Sequence, residues 1–600
     1  MSRQVALSFL LLAALVRAAT YGVGIYQGVG VPVSVSIELT PGNGTIYVPG
    51  YTASSDFLYS AKVAIWEAAL NAGVQPWRYN YIIEIKPLGN MSTYIGGPSL
   101  SLTIYLEALN VFTGRQGNSS IAYSGAVGPG GVVDLVGNIR EKALGLQNSG
   151  FKAFAFPVLE LFTYRFELRP VYYGVYATVI RQLTAIPTNL TGVHIGLIEV
   201  GNVYQAAAVA QGLPYNITAD LYALDLKINA SHINYSGFAA PALSLLKNET
   251  ATLINGTLDA MKALNIQGGT YLDLVRQALA YLEAGERTPD LRPELWVQAY
   301  GTAATAYYYL LLLYNNTRAV REMEVRYYAL LSVAVEAQKF VKPDLQNLCE
   351  AAYSRMYLHL ANQSLDQLKA YLDYYLWTGS PTYAAAAVYT YATITEYLWR
   401  SIIYASFAAN GSGVDLNATY NRFTDYLNAV VRYAELYSEE TNIYSTQLVG
   451  GAETNYYRML ETDDRLAALG YGTEALAYAM AYFAIHPGYP NTTAVKYAFF
   501  ADSAYHKLGR LTYTQIVDLK TASLAELNET RVLYLSRALA CEYLREFAEP
   551  GPAVEAASAS TTTLPTPNSE NTGGLWALAV GIAACMGACL GVLERRRRPD

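Results

Sequence analysis

The residues that could do chemistry in this chain are Ser99 and Lys142, which both lie within residues 96–157. Ser99 follows a Gly-Gly-Pro turn and precedes the apolar run 100–113, so the pattern predicts that it lies in the first turn of a helix. Backbone N–H groups in that turn have no partner within the helix and can bind an oxyanion. Ser99 is therefore a candidate nucleophile for acyl transfer.

Lys142 is the candidate base for that serine. A second helix is predicted to begin at Asn138, with Glu141 three residues later in the arrangement of a capping box, and to end at Gly150. Lys142 would then lie at the positive end of its own helix, where a cation is disfavoured, and burial would lower its pKa further. A lysine with a lowered pKa can take the proton of a serine when no histidine does so.

The chain offers few other candidates for chemistry. Ser101 is an alternative nucleophile, although in a regular helix it faces away from Ser99. There is no Gly-x-x-x-x-Gly-Lys-Ser/Thr loop for binding nucleotide phosphates. The histidines are scattered and fit no zinc spacing, so we expect no metal and no cofactor. Nothing in their spacing selects one of them as a partner for the serine. They are His194, His232, His359, His486 and His506.

Residues 96–157 resemble the proteolytic domain of Lon-type serine–lysine peptidases. Gly97-Pro98-Ser99 matches the nucleophile turn of that family, and Ser124-Gly125 stands where the family has Thr-Gly. Residues 137–142 match the Gly-Gly-x-Lys-Glu-Lys segment, and residues 150–157 match the Gly-Ile-Lys-x-Val-x-x-Pro strand. The match is closest to the secreted archaeal branch of the family, in which no ATPase is fused to the peptidase.

The resemblance implies roles for individual residues. Ser99 would be the nucleophile, Lys142 its general base, and Ser124 a hydroxyl that helps to hold the lysine. Gly97 and Pro98 would support the turn that presents the serine. The resemblance also implies a homo-oligomer, because Lon-type domains commonly form rings.

The sequence departs from the family pattern at three places. Leu100-Ser101 replaces the small pair that usually follows the nucleophile, and Leu100 could crowd the site. Ala126 replaces a common acidic residue, and Asn138 replaces the second glycine before the lysine helix. These departures leave open a degenerate, inactive Lon-like domain in which Ser99 is an ordinary helix cap.

Length and periodicity divide the chain into two folded parts, because 600 residues exceed one ordinary domain. Mixed strand and helix patterns over residues 20–212 predict an α+β domain, which the resemblance implies is a Lon-type proteolytic domain, and the helical period dominates residues 257–548. A polar, glycosylated connector is predicted between them at 213–256. The expected fold class is an α+β proteolytic domain followed by a mainly α-helical domain and one C-terminal transmembrane helix.

The two ends of the chain carry targeting patterns. Residues 1–19 are typical of a secretory signal peptide. Residues 573–594 are typical of a transmembrane helix, with the basic tail 595–600 after it and a Ser/Thr/Pro-rich stalk at 549–572 before it. We therefore expect a single-pass protein of the cell membrane, with the folded part outside and the C-terminus in the cytoplasm.

The residues between those ends fit an exported glycoprotein. Cys349 and Cys541 are the only cysteines outside the predicted transmembrane helix, and an oxidising exterior would permit them to pair, although the sequence alone leaves this open. Asn-x-Ser/Thr sequons occur several times more often than random placement would give, which predicts N-glycosylation. The candidates are Asn43, Asn90, Asn118, Asn189, Asn216, Asn229, Asn234, Asn248, Asn255, Asn315, Asn362, Asn410, Asn417, Asn491 and Asn528.

Composition narrows the classes of function and partner. A chain that is 52% hydrophobic and 15% charged is not intrinsically disordered, and a net charge of -7 argues against a nucleic acid as partner. With the resemblance, these features predict a cell-surface serine endopeptidase that uses a Ser-Lys dyad without ATP and acts on unfolded protein or peptide. The alternative is a non-catalytic glycosylated surface scaffold or adhesin built on an inactivated Lon-like domain.

Overall fold

The structure is a computed structural model, and it describes residues 19–89, 93–173, 176–217, 233, 239–409, 411–441, 445, 447–485 and 493–549. The predicted signal peptide, stalk, transmembrane helix and basic tail lie outside these residues, apart from the boundary residues 19 and 549. Within the described residues the chain is α+β in its first part and mainly helical in its second.

The expected fold class and localisation were wrong in their membrane-spanning element. Of the helices in the described part of the chain, none combines the length and the apolar composition that crossing a membrane requires. The side chains of Arg465–Ile485 are instead buried within the protein from Leu466 onwards along almost the whole helix. The fold class is accordingly an α+β domain followed by a mainly helical one, and the helix predicted at 573–594 lies outside the described residues.

The first part is built on a mixed sheet of seven strands in the order β13-β10-β7-β1-β2-β5-β3. β7 lies between β1 and β10 and is parallel to both, whereas β2 is antiparallel to β1 and β5. The strands are β1 (Thr20–Tyr26), β2 (Val29–Pro41), β3 (Ile46–Tyr47), β4 (Thr52–Ala53), β5 (Tyr79–Pro87), β6 (Tyr94–Ile95), β7 (Ile121–Tyr123), β8 (Ala126–Val127), β9 (Val133–Asp134), β10 (Ala153–Pro157), β11 (Phe162–Tyr173), β12 (Tyr176–Pro187) and β13 (Gly196–Val200).

The helices of the two parts follow in chain order. The α+β part contains α1 (Ser55–Asn71), α2 (Ser101–Thr113), α3 (Ile139–Asn148) and α4 (Val203–Ala210). The helical part contains α5 (Ala239–Ala263), α6 (Thr270–Arg287), α7 (Arg292–Tyr314), α8 (Asn316–Gln338), α9 (Leu348–Thr378), α10 (Pro381–Phe407), α11 (Leu416–Thr441), α12 (Val449–Glu461), α13 (Arg465–Ile485), α14 (Thr493–Lys507), α15 (Tyr513–Leu524) and α16 (Asn528–Ala548). Short 3-10 turns occur at Pro76–Arg78, Pro98–Leu100 and Pro289–Leu291.

The helical part begins earlier than predicted, because α5 lies largely inside the expected connector 213–256. Leu243, Leu246 and Leu253 recur at helical spacing and are buried. The sequon residues Asn248 and Asn255 lie on the exposed face of the same helix. These two of the sequons that favoured a connector therefore lie on the solvent face of an amphipathic helix.

Two glycines determine how closely α3 lies against the sheet. A Cβ atom on Gly145 of α3 would lie 2.0 Å from the carbonyl oxygen of Gly30 in β2, and one on Gly30 would lie 2.3 Å from the carbonyl oxygen of Glu141. No side chain fits at either position, so the helix and the strand are in backbone contact. This contact sets the height of Lys142, one residue after Glu141, above the sheet.

The α+β part and the helical part share one hydrophobic core. Trp66 of α1 stacks on Tyr426 of α11 with 5.6 Å between ring centroids and 7° between ring planes. The neighbouring Glu67 is buried and accepts hydrogen bonds from the hydroxyls of Tyr426, at 2.7 Å, and Tyr543. A buried carboxylate needs such partners, so the helical part is required to complete the packing of α1.

Candidate active site

Ser99 lies in the tight turn that precedes α2. Gly97, two residues earlier, has φ +81°, in the left-handed region that glycine tolerates best, and its N–H donates to the Asp56 carboxylate at 2.7 Å. Ser99 itself is half-buried and lines a cleft. Among the described residues nothing forms a hydrogen bond with its hydroxyl, which leaves that group available to a substrate.

Ser124 connects the serine turn to the lysine. The carbonyl oxygen of Ser99 accepts two hydrogen bonds, from the Gly125 N–H at 2.9 Å and from the Ser124 hydroxyl at 3.1 Å. The Ser124 hydroxyl in turn accepts a hydrogen bond from Nζ of Lys142 at 3.1 Å. Ser124 is fully buried directly after β7, an inner strand between β1 and β10, so the sheet fixes the connection.

Lys142 lies in the first turn of α3, and 2% of its surface is exposed. Burial lowers the pKa of its amine from 10.5 to about 8, because the charged form loses its hydration, and the nearby carboxylates of Glu160 and Glu440 oppose this only in part. A substantial fraction of the amine is therefore neutral at mildly alkaline pH. The neutral amine is the form of lysine that can accept a proton.

The predicted capping box at the start of α3 is absent. Asn138 is the N-cap residue, but its backbone is left-handed, with φ +63° and ψ +41°, and its side chain makes no capping bond. A capping side chain normally projects from an extended backbone, which Asn138 does not have. Glu141 lies beside Arg140 at 3.7 Å instead of reaching back to the N-cap. Asn138 stands where the Lon-type pattern has a glycine. Asparagine tolerates the left-handed backbone region, so it fits this position.

The two other residues that raised questions in the sequence point away from the cleft. Leu100 is buried and packs against Gly22 of β1, where a Cβ atom would meet its Cδ2 at 2.7 Å, so it does not crowd the site. The Ser101 hydroxyl is buried, donates to the Gly125 carbonyl at 3.1 Å and accepts from the Val127 N–H at 2.7 Å. Ser101 therefore ties α2 to β8 and is not presented to a substrate.

The cleft has a volume of 740 Å³ and receives residues from both parts of the chain. Its floor and one wall come from the α+β part, including Ser99, Lys142 and the turn at Gly97. A further wall comes from the last turns of α11, which contribute Tyr437, Glu440 and Thr441. These three residues follow Lys142 by about three hundred positions, and nothing in the sequence indicated that they would meet it.

A group of charged residues at the cleft was also missed: Glu160 lines the cleft, and Asp134 and Lys496 are buried close to it. Glu160 accepts a hydrogen bond from the Val136 N–H, and burial raises the pKa of its carboxyl to about 7. Asp134 is buried and pairs with Lys496 of α14, which is 5% exposed. An isolated acidic residue in an apolar stretch, as at positions 134 and 160, is the signal that could have drawn attention to these carboxylates. Lys496 carries the same signal, as the only charged residue in the stretch from Ala494 to Ala501.

Of the remaining candidate residues that the structure describes, one lines the cleft. Cys349 of α9 and Cys541 of α16 form a disulfide, with 5.5 Å between their Cα atoms. Asn189 lines the rim of the cleft. The sequon side chains that the structure describes are all exposed: Asn43, Asn118, Asn189, Asn216, Asn248, Asn255, Asn315, Asn362 and Asn417. Asn90, Asn229, Asn234, Asn410 and Asn491 lie outside the described residues.

A scan against protein-family models finds no match to this chain, and a search of curated proteins likewise returns no match.

Proposed function

We propose that this protein is a serine endopeptidase in which Ser99 attacks the peptide carbonyl and Lys142 acts as general base, as in the Lon-type peptidases that the sequence resembles. The observation that supports the proposal best is the buried Lys142 amine, with its lowered pKa, bonded to the same Ser124 hydroxyl that bonds the Ser99 carbonyl. A buried lysine with a lowered pKa that lines the same cleft as a serine is a candidate functional group rather than a purely structural one. We infer that it serves the serine.

The reaction follows from these positions. The Ser99 oxygen forms a bond to the carbonyl carbon as its proton passes to the neutral amine of Lys142, and the developing oxyanion is held by backbone N–H groups near Ser99. The protonated lysine then gives its proton to the leaving amine as the peptide bond breaks. Water attacks the acyl-enzyme by the same route in reverse, and Ser99 recovers its proton. The Lys142 amine bonds Ser124 rather than Ser99 here, and such contacts often tighten only in the substrate complex.

Exposed sequons support N-glycosylation of the same protein. Every sequon asparagine whose side chain is described is turned to solvent, including the two on α5. One of them, Asn189, lies at the cleft rim, so a glycan there would limit the bulk of a folded substrate. An extended, unfolded chain could still enter. We therefore propose unfolded protein or peptide as the substrate class.

The test of the peptidase is cleavage of an unfolded, fluorescently labelled protein by the purified full-length chain without ATP. Ser99→Ala is expected to abolish cleavage. Ser101→Ala is the matched comparison: it should keep the activity per folded molecule while lowering the free energy of unfolding by about 1–3 kcal/mol, because the buried Val127 N–H loses its acceptor.

Other outcomes would change the assignment. Activity that survives Ser99→Ala and disappears in Ser101→Ala would make Ser101 the nucleophile. A folded wild-type protein that cleaves nothing would favour the non-catalytic glycosylated scaffold.

The pH dependence of cleavage tests the role of the lysine. Because the neutral amine is the reactive form, activity is expected to rise with pH and to reach half its maximum near the Lys142 pKa of about 8. The Glu440 carboxylate favours the protonated amine, so Glu440→Gln should move the midpoint to lower pH. Glu439→Gln, an exposed neighbour outside the cleft lining, is the control and should leave the midpoint in place. A profile that falls with rising pH would contradict lysine as the base.

A further inference from the structure

Three consecutive residues of the segment that leads into the lysine helix are held by side chains from elsewhere. Asp134 pairs with Lys496 of α14, the Leu135 carbonyl accepts a hydrogen bond from the Tyr437 hydroxyl of α11 at 2.8 Å, and the Val136 N–H donates to Glu160. We call residues 133–138 the approach segment. Two of its three attachments come from the helical part of the chain.

These attachments are buried. Asp134 is 0% exposed, Lys496 is 5% exposed and Tyr437 is 1% exposed. A buried pair of opposite charges fixes its geometry, since separating the pair would leave a charge without compensation. A buried hydroxyl that donates to a backbone carbonyl likewise fixes the position of that peptide. The approach segment is therefore immobilised by α11 and α14 rather than by its own part of the chain alone.

From these contacts we infer that the helical part positions the catalytic lysine, with Tyr437 and Lys496 as positioning residues that act through the approach segment. The catalytic role of Lys142 rests on the proposed function, but the positioning of Lys142 can be measured independently of that function. The purpose of the helical part would then be to position Lys142 and not to deliver substrate. Without α11 and α14, the lysine side of the cleft would be incomplete.

The connection from the approach segment to Lys142 is short. Asn138 ends the segment in a left-handed conformation, and its carbonyl accepts the first helical hydrogen bond from the Lys142 N–H at 3.0 Å. A shift of the segment therefore moves the start of α3. Tyr437 and Glu440, one turn apart on α11, cover the cleft on the side of the lysine, so the same shift would admit water to its amine.

The charged groups that act on the amine come from each neighbouring element. Glu160, after β10, and Glu440, on α11, both favour its protonated form. Asp134 and Lys496 lie behind Glu160: Asp134 raises the pKa of the Glu160 carboxyl, and Lys496 lowers it. Burial is the larger influence on Lys142 and acts against all of these attractions. Loosening the approach segment is therefore expected to raise the pKa of Lys142 toward its ordinary value of 10.5.

The test is Tyr437→Phe in the full-length protein, which removes the hydroxyl and keeps the ring. The pKa of Lys142 is read by trace acetylation of amines as a function of pH, with mass spectrometry of the Lys142 peptide. We expect the labelling midpoint to rise above that of the wild type. We also expect kcat to fall on the order of tenfold with little change in KM, because a small displacement of a catalytic group costs rate more than binding.

Tyr375→Phe is the matched control. The Tyr375 hydroxyl is buried and donates to the Leu312 carbonyl at 2.9 Å within the helical part, so its loss costs a comparable bond far from the approach segment. This variant should leave the Lys142 midpoint unchanged. An unchanged midpoint and kcat in Tyr437→Phe would overturn the inference. If the wild-type protein has no peptidase activity but the Lys142 labelling midpoint still rises in Tyr437→Phe, the positioning is supported and the proposed function is refuted.

Discussion

Lys142→Met is expected to reduce cleavage of an unfolded protein on the order of 10³-fold or more, because methionine keeps most of the side-chain volume and removes the amine that we propose accepts the Ser99 proton. Lys142→Arg should be as inactive, since a guanidinium stays protonated at any pH at which the protein is folded. Lys152→Met, an exposed lysine ten residues later, is the control and should leave kcat/KM unchanged. The measurement is initial rates with the full-length chain at pH 8 and above.

Stability separates loss of catalysis from loss of fold in this experiment. Nearly all of the Lys142 side chain is buried, and burial disfavours its charge. Methionine at this position removes that penalty, so the free energy of unfolding of Lys142→Met should equal or exceed that of the wild type. A variant that is inactive and clearly less stable would show that Lys142 supports the fold, and the general-base assignment would lose its main support.

Removing the disulfide between Cys349 and Cys541 is expected to have the largest effect on stability. The two residues are separated by 192 positions, and closing so long a loop in the unfolded chain costs about 5 kcal/mol in the chain-entropy model. The double variant Cys349→Ala/Cys541→Ala should lose a free energy of unfolding of that order, measured by guanidinium denaturation. Replacing both residues avoids leaving a reactive thiol.

Reduction supplies the control for the disulfide. A thiol reductant should lower the stability of the wild type toward that of the double variant and should not affect the double variant itself. Equal stability of the oxidised wild type and the double variant would mean that the unfolded chain gains no freedom from losing the bond. In that case the helices α9 and α16 are held together by packing alone.

The local parts of the candidate site could be predicted from the sequence. The Gly-Gly-Pro turn before Ser99 and the helix that follows Asn138 depend on residues next to one another in the chain, whereas the role of Ser124 was implied only by the resemblance. The cap of α3 was predicted wrongly, because Asn138 has a left-handed backbone and its side chain makes no capping bond.

The division of the chain was also predicted only in outline. Alternation and helical periodicity indicated an α+β part followed by a helical part, which is the order the structure has. Periodicity could not separate a polar connector from the exposed face of α5, since both are rich in Asn and Thr. The membrane-spanning element of the predicted fold class is likewise unsupported in the described residues.

The amino-acid sequence was enough to identify the candidate residues for acyl transfer, the position of the tight turn, and most of the segments that form strands or helices. These are properties of side-chain type and short-range spacing. The packing of distant elements established that Lys142 is buried enough to lose its proton near pH 8, that Cys349 meets Cys541, and that Tyr437 and Lys496 hold the segment leading to the lysine. Burial, charge and pairing depend on which distant elements pack together, and the free energies that select that packing are sums over the whole core rather than properties of any one stretch.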